Sequence, residues 1–548
     1  MEFSGGKHYL DFMLKRAAFL ALSLLVVCSG VLFAADDPSS RKVREFVMAD
    51  SPQSLSLDPL HTFTSFESQF YTAVYEGLVV ADPQTLEPVP GVARSWESTE
   101  NGKVWTFHLR SDALYSNGDR VRARDFVASW LRMIDPVNNA EYSFFYDVIK
   151  GAHEYRTGSK KDPSSVGITA VSDDELRIEL ESPAAHFLKL LTHISFLPLH
   201  SSLLRSTGWA GASTVVGNGP FVMKSRSDTE IVLEKNAKYW DAENVAVDKL
   251  RIRFMDDAND ATDGYITGRI QWVTRSLING EKLQPTDKME VYPMFGTTYF
   301  FFACDLPVWS DWRVRRGLAL LVPWDQVRSK EDFSFPSDLV VPSIPNYPVV
   351  KGIADQQVAE AKKLLADAGY PEGRGLPPLI VKVSSESQSM KAIVQKMADA
   401  WKALIGLNVV VREVDSNAYL AETRKNDFTL AESTWIGDYA DPLTFLQLWT
   451  TGSNLNDARF SDKDYDAAIS ESISMTDARK RYRRLADAEQ ILLTKAAVLP
   501  LDHSPAINLI NTAVIGGWFS NPLDVHPFKF LSFKARATPP GIAMRSAP

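Results

Sequence analysis

Residues 434–442 read Thr-Trp-Ile-Gly-Asp-Tyr-Ala-Asp-Pro. Asp438 and Asp441 sit beside Trp435 and Tyr439. Phe428-Thr429-Leu430, just before them, reads as a short strand, and Pro442 starts a helix expected to run to Trp449. A carboxylate among aromatic rings is costly to desolvate unless a cation meets it. The chemistry within reach is therefore capture of a cationic group. Asp441, directly before Pro442, suits the cap of the following helix. Asp438 has two readings, a helix cap or a carboxylate kept for a ligand.

The other chemistry-bearing residues point away from catalysis, although an enzyme is the main alternative class. The chain has no G-x-S-x-G elbow, no H-E-x-x-H and no phosphate-binding loop. His61, His108, His193 and His503 are scattered without metal-ligand spacing and read as structural histidines. The acidic run DDANDATDG at 256–264 lacks the spacing of a calcium loop and reads as a loop and helix cap. Asp311 with Arg313, Arg315 and Arg316 could bind an anion; a surface ion-pair cluster at a helix start is the preferred reading.

The elements that must position these residues alternate. Strands are expected at 43–50, 103–110 and 229–236 and in KLRIRF, PLIVKVSS, LNVVVREV and FTLAES; DDELRIELESP makes another. Helices are expected at 68–80 (ending near Gly77), 123–135, 355–369, 389–405 and 416–424, with an Asn-Gly hairpin turn at 117–118. Strand and helix alternate through the second half, which implies a parallel or mixed sheet with helices on its faces. The fold class is α/β, and ligands of open α/β sheets bind beyond the strand ends.

The chain has 548 residues, too many for a single core, and two or three units are expected. A net charge of −9, without a long basic stretch after the N-terminus, argues against nucleic acid as a partner. Residues 1–35 carry a short basic region, an apolar run and small residues, and read as a signal peptide, with Met13 as an alternative start. Competing readings are a retained membrane anchor and a lipid-modified Cys28, for which Val27 is a poor preceding residue. Cys304 is the other cysteine, so no internal disulfide is expected after cleavage.

Several collinear stretches then carry a resemblance. They include SLDP at 56–59, YEGL at 75–78, WTFHLRSDALYSNGDRVRARDFVASWLRMIDP at 105–136, GNGPF at 217–221, AKKLLADAGYPEG at 361–373, WIGDYADPLTFL at 435–446 and GGWFSNPLDVHPFKFLSF at 516–533. Together they resemble the periplasmic oligopeptide-binding proteins of peptide ABC transporters, family 5 of the extracellular solute-binding proteins.

The resemblance implies a two-lobed periplasmic-binding-protein clamshell of the large class with an extra inserted domain. Lobe I would comprise 36–75, 198–295 and 515–548, the extra domain 76–197 and lobe II 296–514. The chain would cross between lobes near 295 and 514, and the crossings would act as a hinge. It implies a monomeric periplasmic protein without cofactor that captures short peptides and hands them to a permease driven by ATPase subunits. Asp438 would meet the peptide ammonium beside Trp435, and Phe63, Thr64, Ser65, Thr434, Ile436 and Gly437 would pair with its main chain.

The family pattern is also broken in places. Glu432 stands where some members have an Arg for the peptide carboxylate, which leaves Arg424 as the candidate and suggests a preference for basic ligands. Equal affinity for Lys-rich and Glu-rich peptides would remove that suggestion. Gly296 and Ile436 occupy the positions of a disulfide found in some members. A non-peptide solute in the same fold (a nickel complex, a sugar or another amine) is the alternative ligand, and a receptor or chaperone role without transport is a third reading.

Overall fold

The computed structural model describes residues 43–534 apart from 63, 329–333, 345, 416, 417, 426 and 454. The expected signal peptide, Cys28 and Phe63 lie outside the described residues. Among those described, no helix is long and apolar enough to cross a membrane.

The chain is organised by one mixed sheet. In spatial order its strands are Val409–Val414, Leu379–Ser384, Leu430–Ile436, Met289–Phe302, Val498–Ile510, Trp272–Thr274, Glu45–Asp50, Lys249–Phe254, Glu230–Lys235 and Phe221–Arg226, and Phe335–Pro336 pairs with Val498–Ile510. Leu379–Ser384 is parallel to both of its neighbours, and Glu45–Asp50 to both of its own. The two long central strands, Met289–Phe302 and Val498–Ile510, are antiparallel and run through both halves. Their register breaks between Pro293 and Thr297, where Pro293 faces Pro505. Proline donates nothing to a ladder, so the break falls where two prolines meet.

Three main apolar cores follow this plan. One collects residues from Phe295 to Leu501, and a second combines 46–75 and 194–272 with the segment from Ile510 to Leu531. The third is built around a separate four-stranded sheet and the helix Ala123–Ile134, from residues 60–196 plus a single outsider, Tyr439. Trp130, Phe126 and Tyr146 are fully buried there.

Several expected boundaries move. The helix expected at 68–80 is Ser65–Val74, because Thr64 and Glu67 close a capping box that starts it earlier, and Tyr75 is already extended. The helix expected at 355–369 is Val358–Asp367. The strand expected over FTLAES at 428–433 is Leu430–Ile436, so Thr434, Trp435 and Ile436 are themselves β-structure. The helix after Pro442 is one α-turn, Leu443–Leu446, continued by a tighter turn to Trp449. Asp257 caps the helix Ala258–Ile266, so the acidic run serves as the expected cap. Asp311 holds Arg313, but Arg315 is buried and donates to the carbonyls of Trp309, Ser310 and Lys495, so the cluster does not lie wholly on the surface.

Candidate ligand-binding cleft

The helix Ser65–Val74 presents Ser65, Ser68, Tyr71 and Thr72 along one side, with Thr64 before it and Tyr75 after it. These residues line a cavity of about 430 Å³. Val79, Val80, Leu191, Ile194, Leu197 and Pro220 add apolar wall, and Leu523, Val525 and Pro527 close another side. The end of the strand Leu430–Ile436 forms the opposite rim through Thr434, Trp435, Ile436, Gly437 and Asp438. Seven of the nine candidate residues therefore share one cavity. Phe63 lies outside the described residues. Arg424 is not brought there: it follows the helix Tyr419–Thr423, exposed, with its Nε 4.0 Å from Asp457.

Asp438 is held rather than neutralised. Its Oδ2 accepts from the Thr444 hydroxyl at 3.3 Å, its amide donates to the same Oγ1 at 3.1 Å, and the Tyr142 hydroxyl hydrogen-bonds the carboxylate. Among the described residues no Lys, Arg or His forms an ion pair with it. Burial pushes its carboxyl up to about 7, against hydrogen bonds from Tyr142 and Thr444 that favour the charged form. The other charges on the wall are spoken for. Glu76 receives Lys529 at 3.2 Å and Trp240 Nε1 at 2.6 Å, and Tyr239 bonds to both Glu76 and Lys529. Asp82 accepts the amides of Gln84 and Thr85. His193 is pushed down to about 3 by burial and is neutral.

Asp441 takes the role expected of it and one more. Its Oδ1 accepts the Leu443 amide at 3.0 Å, and both its oxygens receive the Arg481 guanidinium at 2.6 and 2.7 Å. Glu432 is turned to another use: it is buried, accepts the Ser384 amide at 2.7 Å and does not line the cavity.

The backbone supplies the second feature. The strand Leu430–Ile436 pairs along its length with 296–302, but on its other side, among the described residues, only Leu430 and Ala431 pair, with Val381 and Lys382. Tyr419 Oη occupies the amide and carbonyl of Glu432. The edge at 433–436 is open, and such an edge is a template for another extended chain. The Trp435 indole N–H also has no acceptor among the described residues. The Thr64 hydroxyl is committed to Glu67. Gly296 and Ile436 face each other directly in the ladder.

Gly437 is a packing requirement. A Cβ there would lie 2.5 Å from Phe295 Cδ1 and 2.8 Å from Thr444 Cγ2. Gly437→Ala is expected to cost about 1–3 kcal/mol in urea unfolding, through a displaced Phe295 and a Thr444 that no longer holds Asp438.

Sequence reasoning missed Tyr142 and the Glu76–Lys529–Tyr239 group. Tyr142 precedes the tight turn Ser143–Val148 and carries no periodic signal. The polar side of the helix Ser65–Val74 was readable from its spacing.

A model of the bacterial extracellular solute-binding proteins, family 5 Middle, matches residues 87–457. The periplasmic oligopeptide-binding protein OppA of Escherichia coli (strain K12) is 30% identical over 533 residues, covering 93% of this chain and 97% of its own. The structure of the Escherichia coli murein tripeptide binding protein MppA aligns with a TM-score of 0.75 at 27% identity over 90% of this chain and 99% of that one. Haemophilus influenzae OppA in complex with RPPGFSPFR gives 0.73 at 25% identity over 90% and 99%. With the mixed sheet, the cleft and these similarities together, the chain belongs to the bacterial extracellular solute-binding proteins, family 5.

Proposed function

We propose that this protein captures short peptides in the cleft and delivers them to an ABC-type membrane permease. One observation carries the reading: an open strand edge at 433–436 lies on the same cavity as Asp438, a carboxylate without a cationic partner among the described residues. The peptide lies extended along that edge, and main-chain hydrogen bonds hold it irrespective of sequence. Asp438 receives its free ammonium group, replacing lost hydration with a charge-assisted hydrogen bond of about 1.5–3 kcal/mol. Trp435 donates its indole N–H to a ligand carbonyl. The names of OppA and MppA, which describe peptide binders, support the ligand class.

The protein acts by binding, not by catalysis, as a periplasmic monomer without a cofactor, and ATP is hydrolysed by partner subunits. The lobes are 36–75 with 198–295 and 515–548, and 296–514, with 76–197 inserted. The Pro293–Pro505 register break in the two central strands supports a hinge passage near 295. The direct test is mass spectrometry of ligands released on denaturing the purified protein. A mixture of short peptides with free amino ends is the expected result, and a single non-peptide compound would refute it.

Binding should also depend on pH in a definite direction. The ligand ammonium binds the ionised form of Asp438, and a proton competes for that carboxylate below about 7. Affinity for a free peptide is therefore expected to hold between about pH 7 and 8. It should fall toward about tenfold per pH unit in more acid solution, measured by calorimetry. A flat profile from pH 5 to 8 would contradict it.

A further inference from the structure

Tyr439 follows the proposed ligand carboxylate directly, yet its ring joins the apolar core of the 60–196 unit. It is 1% exposed within the core made otherwise of residues 60–196. The ring lies edge-on to Phe145 at 5.8 Å and stacks on His186 at 6.0 Å. Its hydroxyl lies beside Gln447, on its own side.

Three further contacts hold the same short loop. The Tyr142 hydroxyl reaches Asp438, Lys189 Nζ donates to the Ala440 carbonyl at 3.3 Å, and Arg481 clamps Asp441. Tyr142 and Lys189 come from the 60–196 unit, and Gln447 and Arg481 from the half that carries the loop. Residues 438–441 are thus gripped from both sides of the cleft, with the ligand-facing carboxylate at one end of the grip.

We propose that Tyr439 is a positioning residue that latches the cleft shut: its ring docks between Phe145 and His186 when the lobes close, and this docking fixes the Asp438 carboxylate against the ligand. The inference rests on the peptide-capture reading. A ligand ammonium neutralises Asp438 and removes the cost of bringing a bare carboxylate to the mouth of an apolar core. Without that ammonium, docking Tyr439 means desolvating Asp438 as well. Binding and closure are then one coupled event, and the coupling acts in both directions.

The test needs two readouts. Val137 and Val349, 82% and 94% exposed and lying on segments whose neighbours Ile134 and Val350 belong to different cores, take cysteine labels, since Cys304 is buried. In the labelled parent a bound tripeptide should shorten and narrow the distance between labels. In Tyr439→Ala the distances should stay broad at saturating peptide, with affinity at least tenfold lower. Tyr439→Phe should behave as the parent, because it keeps the ring that packs on Phe145 and His186. Should Tyr439→Ala fail to fold, hydrogen exchange on the parent still decides. Peptide should slow exchange of the amides at 439–441 and, together with them, those at 142–146 and 186–190. Equal closure in parent and Tyr439→Ala, or exchange at these amides indifferent to peptide, overturns the latch while leaving peptide capture intact. A parent that neither binds nor closes on peptides overturns both.

Discussion

Replacing Asp438 with Ala is expected to weaken binding of a short free peptide by about 2–5 kcal/mol, the scale for losing one partner of a desolvated charge pair. The magnitude follows from where the carboxylate sits. It is fixed by Thr444 and Tyr142, faces a chamber whose other charges are already partnered and has no cation of its own among the described residues. Water that could replace it is excluded once the ligand fills the cleft. The change should raise the dissociation constant by at least 30-fold in calorimetry, since each 1.4 kcal/mol is about tenfold.

Removing the charge at this position should also stabilise the empty protein. A carboxyl held near 7 in the fold, against its ordinary 3.8 in the unfolded chain, takes its proton more readily when folded. Its contribution to stability is thus favourable in acid and is lost as pH rises toward 7. Asp438→Asn removes that cost and is expected to raise stability at pH 7.5 by about 1–3 kcal/mol, after allowance for residual solvent at the cleft. Weaker binding with higher stability is the signature of a group placed for a ligand. A purely structural Asp438 would lose both.

The second large effect concerns the support beneath the cleft. Arg481→Met should destabilise the fold by about 3–5 kcal/mol, because it strands Asp441 at 3% side-chain exposure. Burial alone would raise the Asp441 carboxyl. Arg481 outweighs it and holds the carboxyl below its ordinary value. The pair's contribution is therefore present above the ordinary carboxylate range and lost as pH falls through the lowered value. In Arg481→Met the stranded Asp441 can instead take a proton, so the deficit should be smaller at pH 5 than at pH 8. The double variant Asp441→Leu with Arg481→Met should recover much of the loss, since two apolar groups leave no orphan charge. Urea unfolding of the parent, both single variants and the double variant measures it, and an Arg481→Met deficit unchanged by pH and by the second substitution would contradict it.

Much of this was legible in the sequence, for particular reasons. The alternation in residues 230–235 and 249–254 and the apolar period of 388–405 each specify one element, and the structure places strands and a helix there. Asp438 stood out because a carboxylate among aromatic residues needs an explanation. The start of the helix at Ser65 was written in Thr64 and Glu67, yet the apolar pattern further on drew the expected start later. What stayed hidden is long-range. Arg481 lies 40 residues from Asp441, and Lys529 lies 453 from Glu76. Nothing local signals that Tyr142 reaches Asp438 or that Tyr439 packs among residues 60–196. Arg424 failed as a cleft residue because its charge was visible but the turn that carries it away was not.

Whether Asp438 receives the free amino end of a peptide is decided by a thermodynamic cycle. A tripeptide and its N-acetylated form would be titrated by calorimetry into the parent and into Asp438→Asn. Acetylation is expected to cost the parent about 2 kcal/mol or more and the variant little, because the two changes remove the same interaction. An equal cost of acetylation in both proteins would show that the ammonium is bound elsewhere, and the role given to Asp438 would fall.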